Sequence, residues 1–111
     1  MKGLNRVTLI GNLGADPELR TLEGGVSTCS FPLATSEVYK DKQGEKVETT
    51  EWSNIVGWRA VADNMNKLLK KGSSVYIEGK LKTRTWTSKE GEKKYMTEVI
   101  VDQFILLKDP K

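Results

Sequence analysis

The sequence has no histidine and a single cysteine. Without histidine, a serine triad, imidazole acid–base catalysis and most transition-metal sites are excluded. One cysteine excludes an intrachain disulfide and fits a reducing, cytoplasmic setting. Cys29 lies in an alternating apolar–polar stretch, where a free thiol packs as a small hydrophobe. No apolar run approaches the roughly 20 residues of a membrane span. The opening MKGLNRVTLIGNLG has a short apolar stretch broken by Thr8 and Gly11, which argues against a signal peptide. No glycine-rich phosphate loop sits between a strand and a helix; GNLG matches one poorly. Glu45, Glu48 and Glu51 are clustered, but in a turn and a strand, where a solvated face is the plain explanation. These absences point away from an enzyme and from any metal or cofactor.

What remains is a chain of 111 residues, one domain's worth, with 37% hydrophobic and 30% charged residues. That balance is globular, not disordered. Eighteen Lys and Arg against 15 Asp and Glu leave +3, so the placement of the cations matters more than their sum.

Period-two patterns dominate. Strands are predicted at residues 4–13, 26–39, 47–58, 74–86 and 95–107. GADPELRTLEGG reads as a loop punctuated by Asp16-Pro17 and Gly24-Gly25. Pro32 calls for an edge position or a bulge, since it lacks an N–H. Charged turns surround Gly44 and Gly91. Between the third and fourth strands the period changes: Val61, Met65, Leu68 and Leu69 recur at helical spacing. Lys67, Lys70 and Lys71 suit the end of a helix of about three turns, and Gly72 suits its stop. Five strands with one helix in that place give the element order of an all-β OB-fold, a small Greek-key barrel. Another five-stranded barrel of similar size is the alternative. No repeat or linker divides residues 1–111.

Side chains alternate along a strand. In the fourth strand Val75, Ile77, Gly79 and Leu81 fall on one face, the core. Tyr76, Glu78, Lys80, Lys82, Arg84 and Trp86 fall on the other, so three successive cations are followed by a tryptophan. A single-strand binding surface needs cations for phosphates and flat rings for unpaired bases. Taken alone, an ordinary solvated face with one aromatic explains that row equally well. Trp52 and Trp58 shift the balance: six apart, they share a face of a regular strand, although a bulge would turn one inward. An exposed aromatic row needs a partner to cover it.

The strings NRVTLIGNLGADPELR, FPLATSE, TEWSNIVGW, LLKKGSSVYIEGKLKTRTW and GEKKYMTEV resemble, in order and spacing, the bacterial single-stranded DNA-binding protein family. The resemblance spans nearly the whole chain. It implies an OB-fold that wraps single-stranded DNA during replication, recombination and repair, as a cytoplasmic, nucleoid-associated homotetramer without catalysis. It also assigns stacking positions to Trp52 and Trp86. Trp58 stands where relatives often have Phe, and Tyr39 where many have Trp. Arg6, Lys80, Lys82 and Arg84 match basic positions along the DNA path, with Lys2 and Lys71 as further candidates. Ser53 replaces a His that some relatives place at the subunit contact. Full-length relatives continue into a flexible tail with an acidic tip that recruits replication and repair proteins; such a tail is expected beyond Lys111 in any longer form. An RNA-binding OB module and a replication-restart accessory factor are the competing functions.

Overall fold

The computed structural model describes residues 1–110. Its elements are β1 (Val7–Leu13), β2 (Glu18–Thr21), β3 (Ser27–Lys40), β4 (Lys46–Trp58), α1 (Ala60–Leu68), β5 (Ser74–Thr87) and β6 (Lys93–Lys108), with one short 3-10 turn at Glu23–Gly25. Neighbouring strands run in the order β1-β5-β6-β4-β3-β2, and β1 also pairs with β3. That last pairing, Asn12 with Ala34 and Leu13 with Leu33, closes five strands into a barrel. The helix lies between the third and fourth long strands, so the barrel is an OB-fold. No helix is long and apolar enough to cross a membrane.

The inward rows follow from the alternation. Cys29, Phe31 and Leu33 of β3, Ile55 of β4, Val75 and Ile77 of β5, and Val99 and Val101 of β6 meet in one core. Ala62 and Met65 of α1 cap it, with Leu69 just beyond the helix. Gly57 makes room for that cap, since a Cβ there would lie 2.9 Å from Met65 Cε. The helix is shorter than its periodic stretch: it has nine residues and closes where Leu69 N–H donates to Met65 O at 3.0 Å. Leu68 is half exposed, and Lys70 and Lys71 lie past the end.

Three local expectations are corrected. The segment after Gly14 is not all loop: Glu18–Thr21 pairs antiparallel with Ser27–Ser30. Its four residues are all exposed, so no apolar row announces the strand. Leu81 is 48% exposed although its parity matches Val75 and Ile77, because there β5 has left the barrel. The strand predicted from residue 4 begins at Val7, but Asn5 extends its effect. The Asn5 amide donates to Leu81 O at 2.8 Å and accepts from Leu81 N–H at 2.9 Å, pinning the N-terminal segment to β5.

Pro32 causes no bulge. The β3–β4 register is continuous from Thr28–Trp58 to Lys40–Lys46. Pro32 O accepts from Gly14 N–H at 2.9 Å, so its backbone polar side faces away from β4. It falls where β3 passes from pairing with β2 to pairing with β1, and the missing N–H removes no bond to β4.

Two hairpin arms, the far ends of β3–β4 and of β5–β6, project from the barrel. They explain a radius of gyration of 16.3 Å, where a compact chain of this length would have about 13 Å.

Candidate nucleic-acid interface

The outer face of the barrel is built by the same alternation that fills its core. One row of paired residues crosses five strands: Glu18, Ser30, Val56, Ile100 and Lys80. Trp58 lies opposite Thr28, and Trp52 opposite Ala34, on this same outward face. With no bulge in β4, Trp52 and Trp58 do share a side, and they are 62% and 42% exposed. Small partners on β3 leave both rings uncovered.

Next to them, β5 presents Lys80, Lys82, Arg84 and Trp86, opposite Ile100, Glu98, Met96 and Lys94 of β6. Trp58, Lys80, Lys82, Arg84, Glu98 and Ile100 line a groove of about 430 Å³. Two adjoining hollows extend it, one toward Arg20 and Leu22 and one toward Asp16 and Pro32. Arg84 and Glu98 line all three. The Trp86 ring is 41% exposed, and the Arg84 guanidinium carbon stands 4.9 Å from its centroid, a cation–π arrangement. Arg84 Nε also donates to Glu98 Oε2 at 3.2 Å. Among the described residues Lys80 and Lys82 make no ion pair within 4.0 Å. Two unpaired ammonium groups beside flat, uncovered rings can track phosphates while bases stack.

Arg6 is exposed, one residue before β1, and its charge acts on Tyr76 and Glu78 at the far end of the β5 row. Tyr39 is half exposed but lies opposite Val47, with the parity of Leu33, on the other side of the β3–β4 ribbon from Trp52. The structure therefore does not bring Tyr39 onto the face that holds the tryptophans. Lys71 follows the helix, its backbone N–H donating to Asp16 Oδ1 at 2.8 Å. Sequence reasoning missed Glu98, Met96, Ile100 and Val56. The alternating pattern of YMTEVIV carried the signal, but their place in the groove needs the β5–β6 and β4–β6 registers.

The single-strand binding protein family model matches residues 4–107. The chain belongs to that family. Among the family's proteins, Single-stranded DNA-binding protein 1 of Chlorobaculum tepidum is 50% identical over 107 residues, which is 96% of this chain and 66% of that protein. Single-stranded DNA-binding protein 1 of Xylella fastidiosa is 44% identical over 108 residues, covering 96% of this chain and 79% of that protein. The chain thus spans about two thirds of the length of the first relative. The Plasmodium falciparum SSB in complex with ssDNA superposes with a TM-score of 0.86 at 35% identity, covering 96% of this chain and 97% of that one. A deletion mutant of the single-stranded DNA binding protein from Thermus aquaticus gives 0.81 at 33% identity, over 96% of this chain and 51% of that one. In this family member, then, Trp52, Trp58 and Lys80 lie on the outer face of the barrel, and Lys82, Arg84 and Trp86 continue the row along the β5–β6 arm.

Proposed function

We propose that this chain binds single-stranded DNA with little sequence preference, without catalysis, in replication, recombination and repair. The observation that carries the reading is the groove in which Trp58, Lys80, Lys82 and Arg84 converge, flanked by Trp52 and Trp86. Stacking is indifferent to base identity because every base has a π-face, and phosphates are common to all sequences. Trp52, Trp58 and Trp86 take bases, while Lys80 and Lys82 follow the backbone, with Arg6 continuing the cationic track. Tyr39 contacts strand that wraps onto the second side of the β3–β4 arm.

The working assembly is a homotetramer in the bacterial cytoplasm, at the nucleoid. Two features favour self-association. The edge of β1 from Val7 to Gly11 pairs with β5 on one side only. On the outward side of the same strands Ile10, Tyr76 and Ile105 lie in one row, with Ile10 62% and Ile105 56% exposed. An open edge and an apolar face need covering. Replication and repair proteins would be recruited by an acidic tail in a longer form.

Paired titrations with DNA and RNA oligomers of equal sequence test the ligand. Tighter binding of DNA is the expected result; RNA binding tighter by about tenfold or more would replace the reading with an RNA module. Sedimentation at micromolar concentration should give four times the 12.4 kDa chain mass, and a clean monomer would contradict the assembly.

A further inference from the structure

We propose that Arg84 is a stacking group and not a phosphate cation, and that Glu98 is the positioning residue that makes it so. The inference rests on the single-strand binding reading above and deepens it by dividing the cations of β5 into two kinds.

The geometry separates them. The Glu98 side chain is 12% exposed, on the floor of the groove, and holds Arg84 Nε at 3.2 Å. Arg84 Nη2 lies 3.5 Å from Met96 Sδ, a second and weaker anchor. Held at both points, the planar guanidinium lies 4.9 Å from the Trp86 centroid. The guanidinium keeps its charge, but the Arg84–Glu98 pair carries none in sum and offers a phosphate little, while the flat guanidinium face still stacks on a base. Lys80 and Lys82, without ion pairs among the described residues, keep their full charge.

Taken together, Glu98 and Arg84 carry no net charge and neither attract nor repel a phosphate strongly, whereas Lys80 and Lys82 attract one. Phosphates are therefore drawn to Lys80 and Lys82, while bases turn toward Arg84 and Trp86. A negative residue in a cationic groove thus sets which side of the strand faces in.

The test is the salt dependence of binding to an oligothymidylate, followed by tryptophan emission. For single strands the slope of log affinity against log salt is about −0.7 per neutralised phosphate. Lys82→Ala should make it shallower by about 0.7. The double variant Arg84→Gln with Glu98→Gln, which removes the neutral pair whole, should lower affinity about tenfold, as loss of a stack does, and leave the slope unchanged. Arg84→Lys, which keeps the charge but not the plane, should bind as weakly as that double variant. Glu98→Gln should steepen the slope by about 0.7 by releasing the Arg84 charge, and that steepening should vanish in the double variant with Arg84→Gln. The proposal is overturned if the double variant flattens the slope as Lys82→Ala does, or if Arg84→Lys binds as tightly as the unaltered chain. It is also overturned if Glu98→Gln leaves the slope alone, or if the steepening survives in the double variant. Arg84 is exposed and neither it nor Glu98 belongs to the core cluster, so these variants should fold. Failure of the unaltered chain to bind would instead remove the parent reading.

Discussion

The Trp52 ring lies against Gly14: a Cβ at that glycine would sit 2.5 Å from Cζ3 and 2.7 Å from Cη2. Gly14 follows β1 directly, and its N–H donates to Pro32 O. The barrel closure therefore holds the glycine in place, and its missing side chain leaves space for the ring. Gly14→Ala should tilt Trp52 away from its stacking position. Affinity for single strands should fall by about 1 kcal/mol, the low end of a base–aromatic stack. In a Trp52→Ala background the same change should add almost nothing, because the two share one cause. Titration of the four proteins of this cycle checks it; additive losses would show that Gly14 acts elsewhere.

Removing the rings one at a time gives a second outcome. Trp52→Ala and Trp86→Ala should each cost roughly 1–3 kcal/mol of binding, with partial recovery by Phe. Melting temperatures should hardly move, since both rings stand outside the core cluster. Loss of fold in Trp86→Ala, measured by circular dichroism, would mean that the arm depends on that ring.

A third prediction concerns the barrel itself. An added Cβ at Gly79 would run into the Ile100 carbonyl oxygen, and one at Gly11 into that of Ala34. The obstacles are backbone atoms, which cannot swing aside. Gly79 also sits at the register shift between β5 and β6. Gly79→Ala should destabilise the domain by a few kcal/mol, in the range of overpacked cores, with a lower denaturant midpoint. An unchanged midpoint would mean that the barrel relaxes locally.

Much of this architecture was legible from alternation. The buried place of Cys29 in β3 and of Val75 and Ile77 in β5, the helix and its place, and the shared side of Trp52 and Trp58 all follow from periods of two and 3.6. What stayed hidden depends on registers between distant strands. β2 has no apolar row, so its pairing with β3 leaves no mark in the residues. Leu81 has core parity but sits where the strand has outrun the barrel, and parity carries no information about where a core ends. Glu98 reads as one acid on an alternating strand until the β5–β6 register sets it against Lys82 and the Arg84 side chain bends to it.

The buried thiol yields a pH prediction. Burial, and secondarily the Asp63 charge, push Cys29 from 9.0 up to about 11. The folded chain thus holds the thiol proton more tightly than the unfolded one. The corresponding stability is fully present below about pH 9 and is lost as pH rises from 9.0 toward about 11. At neutral pH the thiol should resist a soluble disulfide reagent until denaturant is added. Denaturant midpoints that stay flat from pH 8 to 11 (on the order of the span set by that shift), or rapid labelling of the native chain, would contradict the buried, neutral thiol.

The most direct test of single-strand binding is the chain's own tryptophan emission. All three tryptophans are partly exposed on the proposed path, at 62%, 42% and 41%. Titration with an unstructured oligonucleotide should quench the emission strongly and saturably, and added salt should reverse it as phosphate contacts are lost. Emission that stays unchanged at saturating oligonucleotide would mean that no base reaches the rings, and the account of this face as a stacking surface would be wrong.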